Sequence, residues 1–365
     1  WIPYLELLLR SWDLTHDRNV WPKPDDVLSE RWPSVCVVIP NHDRVNELLQ
    51  AVASVEAQQY EGQVRIYIVY LERPGIAEVL STLGSVVALP STNEEGRNSL
   101  AVKLNIAIDA STEELIAFLD DDDVWHPLKL AAQAKALNSD DRIVAVSTQP
   151  TYFSGQPTWN RLAGGKGHRD CTKRRLVSGG HVGTSSLLVD GPTARRLRFD
   201  ERPEWFGVCD LDFKIRLSRL GPIRGLKGKY TGYRADNASI SAPASVEEKR
   251  LFALRSVSVL ATSAERSSLK LDERLSVLWQ LVVLAFGGYG SVRGFHGGKD
   301  VETEEFLDRI LDGRLFGRLD HSVSFVVKTG WRRGWTARPV RHVVHALRVT
   351  GKRLVRLTRS ARHRG

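Results

Sequence analysis

Residues Leu115-Ile116-Ala117-Phe118-Leu119-Asp120-Asp121-Asp122-Asp123-Val124-Trp125-His126-Pro127 join an apolar run to four consecutive carboxylates and then to an aromatic turn. Apolar residues fill every position of the run rather than alternate ones, which is the pattern of a strand buried on both faces. Four adjacent carboxylates at its end raise one another's pKa and repel, a cost that falls when a cation or a strong set of donors neutralises them. Oxygen-only ligands suit Mg²⁺ or Mn²⁺, which bind through one or two carboxylates and complete their shell with water and phosphate oxygens. Taken alone, the run also reads as a solvated acidic turn. Its place where a parallel strand ends, the position at which open α/β sheets bind ligands, favours the cation.

The segments upstream supply the rest of such a sheet. Ser34 to Pro40 is a β-branched run stopped by proline and predicts the first strand. Val45, Leu48, Leu49, Val52 and Val55 recur at helical spacing between Arg44 and Gln58, and Val64 to Tyr70 predicts a second strand. Strand, helix, strand implies a right-handed parallel crossover. A helix at 75–83, a short strand at 85–89 and a helix at 100–110 lead into the Leu115 strand. Beyond the aspartates, 128–137 predicts a helix and 143–147 a strand. Alternating β and α segments predict a doubly wound sheet. A Gly-, Lys- and Arg-rich stretch at 160–181 shows little periodicity and reads as a flexible loop, 204–220 as an acidic loop entering a helix, and the chain after Val246 as mostly helical.

The 365 residues suffice for two domains, and the composition, 42% hydrophobic and 26% charged, is that of a soluble globular protein. The net charge of +9 is concentrated at the C-terminus: residues 331–365 carry eleven Lys or Arg and no acid, leaving the remainder close to neutral. Cys36, Cys171 and Cys209 are far apart and show no CxxC spacing, which argues against a disulfide framework or a zinc site. No secretory pattern opens the sequence, and the expected location is cytoplasmic.

Taken in order, Ser34 to Arg44, Asn105 to Ile108 and Ile116 to Pro127 resemble the nucleotide-sugar-binding half of family 2 inverting glycosyltransferases of the GT-A fold, of the bacterial cell-surface glycan type. Phe199-Asp200-Glu201 and Cys209 to Gly221 resemble that family's acceptor side, in which an acidic pair opens a helix. The resemblance implies an α/β fold of GT-A type, a Rossmann-like doubly wound nucleotide-binding sheet, with a mainly helical C-terminal extension. It divides the chain into an N-terminal preamble (1–33), a GT-A domain (34–245, with a donor half at 34–130 and an acceptor half at 131–245) and a C-terminal region (246–365). It also implies a nucleoside-diphosphate-sugar donor, most simply UDP-linked, with Mg²⁺ or Mn²⁺ as cofactor. The expected transfer is to a hydroxyl of a glycan or lipid-linked glycan in polysaccharide, lipopolysaccharide or glycolipid synthesis.

Carried over by position, Asp120 and Asp122 are the metal-binding pair, with Asp121 and Asp123 as secondary candidates should the register shift. Asp120 and Asp121 also count among the nucleotide contacts, beside Pro40, Asn41, Asp43 and Arg44 after the first strand. Tyr70 and Glu72, at the end of the second strand, are expected to stack on and accept from the base. Lys103 and Asn105 are expected to reach the diphosphate. Asp210 is the expected catalytic base; its neighbour Cys209 stands where the family usually has Glu, so Asp212 is the fallback. A helix-capping role is the alternative for either carboxylate. Trp125 is expected to pack. Lys166, Arg169, Lys173, Arg174, Arg175 and His181 form a candidate lid over the phosphates, and Asp236 replaces a histidine that the family often has.

At the C-terminus Arg338, Arg341, Arg348, Lys352, Arg353, Arg356 and Arg359 alternate with Val and Leu at helical spacing. Such a helix suits an anionic membrane surface, so the tail is expected to hold the protein peripherally on the inner face of the cell membrane. The competing reading is a non-catalytic binding protein on a decayed transferase fold that uses its tail for membrane or nucleic acid.

Overall fold

The structure, a computed structural model, describes residues 31–42, 44–73, 75–92, 99–155, 171, 176, 182–235, 255–256 and 259. Apart from the last three, these belong to one compact unit. Asp43, the candidate lid residues, Asp236, the preamble before Arg31 and the basic tail lie outside the described residues.

The donor half follows the sequence pattern closely. Strand β1 (Val35–Pro40) leads to helix α1 (Val45–Glu56), β2 (Val64–Leu71), α2 (Ile76–Ser81), β3 (Val86–Ser91), α3 (Ser99–Ala110) and β4 (Leu115–Phe118). Strands β1 and β4 are buried along their whole length, as their unbroken apolar runs require. Helix α1 turns Leu48, Ala51, Val52 and Val55, an i, i+3, i+4, i+7 set, into the core beneath them.

Past β4 come β5 (Val124–Trp125), α4 (Lys129–Asn138), β6 (Ala145–Ser147), β7 (Pro150–Phe153), β8 (Leu188–Asp190), α5 (Gly191–Leu197), α6 (Cys209–Leu217), β9 (Ile223–Gly225) and β10 (Thr231–Arg234). The main sheet has the order β3-β2-β1-β4-β8-β6-β9, and β5-β10-β7 form a second sheet. Pairing among β3, β2, β1 and β4 is parallel, but β8 runs antiparallel to both β4 and β6. The strand alternation expected from sequence therefore holds for the donor half and gives way to a mixed sheet beyond it. Strands β7 to β10 have three or four residues each, too few to show a period.

Chain connections run from β1 outward to β2 and β3, then return across α3 to β4 on the other side of β1. The order of strands thus reverses between β1 and β4, and at such a switch point the loops part and leave a crevice at the carboxyl ends of the strands. Asn41, His42 and the four aspartates emerge there.

Two contacts set the acceptor side against this sheet. Phe213 of α6 stacks on Phe199 at 4.3 Å between ring centroids, and Phe118 of β4 meets Phe199 edge-on at 5.3 Å. Gly191, at the start of α5, donates its N–H to the Glu114 carbonyl at 2.7 Å. A Cβ there would lie 2.5 Å from the Glu113 carbonyl oxygen and 2.8 Å from that of Glu114. Neither backbone oxygen can turn away, so Gly191→Ala is expected to lower stability by about 1–3 kcal/mol in a denaturant melt; an unchanged midpoint would show that this helix–strand approach has slack.

Candidate functional site

The acidic turn is built between two supports. On the β1 side, Asp121 is fully buried and its Oδ2 accepts the His42 backbone N–H at 2.6 Å and the Asn41 side-chain amide at 3.2 Å. Arg44, at the start of α1, places Nη2 2.7 Å from Asp121 Oδ1 and pairs through Nη1 with Asp122. Burial pushes the Asp121 carboxyl up to about 6, against the pull of Arg44 and the His42 N–H.

On the β10 side, Arg234 closes the turn. Its backbone N–H donates to Asp123 at 3.0 Å and its Nε to the Asp122 carbonyl at 2.9 Å. Its Nη groups reach the Gly155 carbonyl at 3.1 Å and Gln50 Oε1 at 2.7 Å, and the guanidinium lies over Phe153. Asp123 is buried, and its carboxyl stands well above the usual range because of burial and then the Asp120 and Asp122 charges. Arg234 stands two residues before Asp236, where the resemblance draws attention to an expected histidine and not to the arginine; its placement beside Asp123 reveals its own part in the site.

Asp120 and Asp210 face one another across a short 3₁₀ turn, Thr184–Ser186. Ser185 Oγ accepts the Asp120 N–H at 3.0 Å, and Thr184 Oγ1 donates to Asp210 Oδ2 at 3.2 Å. The same Ser185 accepts the Trp125 indole N–H through its carbonyl at 2.8 Å, which gives Trp125 the packing role expected of it. Asp210 sits in the first turn of α6, where a carboxylate is favoured by the helix dipole. Val208, not an aspartate, occupies the N-cap position. Lys214, one turn on, donates to Asp210 Oδ2 at 2.5 Å and to the Val182 carbonyl at 2.6 Å. The buried amine thus ties the expected base to the strand of chain entering the Thr184 turn.

Burial, the Asp122 and Asp121 charges and, more weakly, that of Asp210 push the Asp120 carboxyl up to about 7. Its ordinary value is 3.8. Folding therefore favours the protonated form, at a cost to stability that is absent below about pH 4, grows between pH 4 and 7 and is complete above. In metal-free buffer, Asp120→Asn is expected to lose less stability than the parent protein as pH rises from about 5 to 8. Urea melts along that series check it, and parallel stability curves would contradict the burial of this charge.

Several residues expected at the site are elsewhere. Lys103 is buried and donates to the Asn41 carbonyl at 2.6 Å, so it braces the end of β1 from inside, where its charge also acts on Asp121 and His42. Asn105 spends its side chain on Phe199, donating to its carbonyl at 2.9 Å and accepting its N–H at 2.8 Å, and on Glu201 at 2.7 Å. Tyr70 packs in the hydrophobic core, where its ring is not presented to a base. Asp212 is buried against Arg216, 2.7 Å away, with Asp200 and Arg202 as its other charged neighbours. It belongs to the α5–α6 packing and not to the acidic cluster. Pro40 and Asn41 are buried at the end of β1, and Glu72 is exposed past the end of β2. The structure accordingly brings together Asn41, Arg44, the four aspartates and Asp210, and leaves Lys103, Asn105, Tyr70 and Asp212 in supporting roles.

Among the described residues no group of three or more His, Cys, Asp or Glu side chains is arranged to hold a metal ion. The donor set still fits a hard cation bound through one or two carboxylates, with phosphate oxygens and water completing the shell. Asp122, its side chain 14% exposed, and Asp120 are the partly exposed members, and Asp120 is a carboxyl that a cation would keep ionised. No helix among the described residues is long and apolar enough to cross a membrane.

Residues 36–186 match the family described as Glycosyl transferase family 2. Comparison with curated protein sequences found no match. Among solved structures, S. aureus TarS 1-349 in complex with UDP-GlcNAc is similar with a TM-score of 0.59 and 14% identity, over 82% of this chain and 92% of that one. The complex of TarS 1-349 with UDP gives 0.57 and 12% over the same shares. The mannosyltransferase PcManGT from Pyrobaculum calidifontis, in complex with GDP-Man and Mn2+, gives 0.51 and 16% over 95% of this chain and 93% of that one. At such identities these likenesses concern the fold, which is of the GT-A type.

Proposed function

Since residues 36–186 belong to Glycosyl transferase family 2, we propose that the protein is a metal-dependent, inverting glycosyltransferase that moves a sugar from a nucleoside diphosphate, UDP first among them, to a hydroxyl of a glycan or lipid-linked glycan. The observation that carries this reading is the meeting of two carboxylate groups across the Thr184–Ser186 turn. The acidic turn lies at the switch point between β1 and β4, and Asp210 approaches it from α6.

Transfer needs the two sides to do different work. Asp122, with Asp120, would hold Mg²⁺ or Mn²⁺, which supplies charge neutralisation for the departing diphosphate. Asp210 takes the proton from the acceptor hydroxyl as that oxygen bonds to the anomeric carbon and the bond to the diphosphate breaks. Its ion pair with Lys214 holds the carboxylate in place beside the Thr184 turn. Ligands of the structural relatives, UDP and UDP-GlcNAc for TarS and GDP-Man with Mn2+ for PcManGT, support a nucleotide sugar as donor. A GT-A domain over 34–245, a helical C-terminal region and peripheral membrane attachment through the basic tail complete the proposal. They suit an acceptor in cell-surface polysaccharide, lipopolysaccharide or glycolipid synthesis.

Thermal melts with UDP and Mn²⁺, separately and together, test the reading. At ligand concentrations about a hundredfold above Kd the native state gains roughly 2.7 kcal/mol, an upward shift of several degrees in Tm. A Tm indifferent to both ligands would reject a metal-dependent nucleotide-sugar enzyme.

A further inference from the structure

The sequence places Arg44 at the nucleotide, yet its guanidinium is committed to the acidic turn. Nη1 hydrogen-bonds Asp122, and Nη2 lies 2.7 Å from Asp121 Oδ1 as an ion pair without hydrogen-bond geometry. The two carboxylates are not equivalent. Asp121 is fully buried and fixed by the His42 N–H and the Asn41 amide, and the charge of Arg44, with a weaker one from Lys103, makes its burial tolerable. Asp122 is partly exposed and could be solvated without help. The guanidinium thus has one obligatory partner and one optional one. Its Nε, buried and without a hydrogen-bond partner among the described residues, shows that the present arrangement does not use the whole fork.

We propose that Arg44 is an internal counter-cation that occupies Asp122 in the metal-free protein, pivots on Asp121, and must release Asp122 before a divalent ion can bind there. This inference rests on the proposed metal-dependent reading. Because the two carboxylates face separate nitrogens, the Asp122 hydrogen bond breaks without disturbing the ion pair to Asp121. A hard cation offers Asp122 a double charge in place of a single one, and an approaching diphosphate offers the freed guanidinium an anion. The ion and the nucleotide therefore assist each other's binding. Arg44 offsets part of the turn's negative charge when neither is present.

The test measures Mn²⁺ binding to the full-length protein without nucleotide, through the EPR signal of the free ion, with a parallel series in the presence of UDP. Arg44→Gln leaves Asp122 unoccupied and is expected to bind Mn²⁺ roughly fivefold or more tightly than the parent, the worth of a lost ion pair of moderate strength. Arg44→Lys distinguishes displacement from a simple change in field. A single ammonium keeps the positive charge but cannot span both carboxylates, and the buried Asp121 claims it. Tightening in the Lys variant, by about threefold or more, is therefore also expected, and this variant carries the test if Arg44→Gln does not fold. Mn²⁺ affinity in the Lys variant equal to or weaker than that of the parent overturns the proposal. If the parent binds Mn²⁺ with UDP present while the variants do not differ from it, only the role of Arg44 falls. If no form binds Mn²⁺ even with UDP, the metal-dependent reading falls and the inference with it.

Discussion

Replacing Asp210 with Asn is expected to lower sugar transfer by about 10²- to 10⁴-fold, the usual worth of a positioned general base, while UDP binding stays within a few-fold of the parent. The asymmetry follows from where the residue sits. Asp210 belongs to α6, held to the sheet by the Phe118–Phe199–Phe213 stack, and reaches toward the donor-side turn through Thr184 and the field it exerts on Asp120. An amide keeps the shape and an acceptor oxygen for Thr184 and Lys214, but it cannot take a proton. Transfer assays alongside calorimetric titration with UDP separate the two effects, and retained turnover would move the base elsewhere. Asp212, two residues on, serves as an internal contrast: it is buried against Arg216, so its amide variant should act through the melting temperature.

The second large effect is expected from Arg234→Met, a change that keeps much of the side chain's bulk and removes every donor. Lost are bonds to the Asp122 carbonyl, the Gly155 carbonyl and Gln50 Oε1, together with the cation–π contact on Phe153. Gln50 and the Asp122 carbonyl are left without this donor in the interior, a loss of about 3–5 kcal/mol, or roughly 10 °C in Tm for a domain of this size. Metal-dependent nucleotide binding should weaken in parallel, because the backbone of the acidic turn loses one of its two supports. A Tm within about 2 °C of the parent would mean that the β1 side holds the turn unaided.

These two residues differ in how far the sequence announces them. Asp210 stands in an acidic segment that opens a helix, so its type and its place in the chain are enough to draw attention to it. Arg234 is one basic residue in a four-residue strand, and the resemblance around it points to position 236 and not to the arginine. The same division runs through the fold. Continuous apolar runs at Val35–Pro40, Ile66–Leu71 and Leu115–Phe118 mark the donor half, because a strand segment buried on both faces must be apolar throughout. The short strands of the acceptor half and the antiparallel entry of β8 leave no period to read. Helix α5, absent from the sequence pattern, does carry a local sign: Asp190 caps it by accepting the Thr193 N–H at 2.9 Å, with proline in the first turn.

By itself the sequence determined the order of the donor-half elements and the location of a four-carboxylate turn at the end of a buried strand, since both follow from interactions among near neighbours. Tertiary structure alone decided which carboxylate is buried, which is accessible and what each touches. Those outcomes depend on partners far along the chain: Asn41 and Asp121 are 80 residues apart, Arg44 and Asp122 78, Asn105 and Phe199 94, and Arg234 and Asp123 111. Lys103 and Asn105 have the polar ends of ligand-binding residues. The fold spends those ends inside the protein, because a buried carbonyl or amide must find a partner and these side chains were the ones within reach.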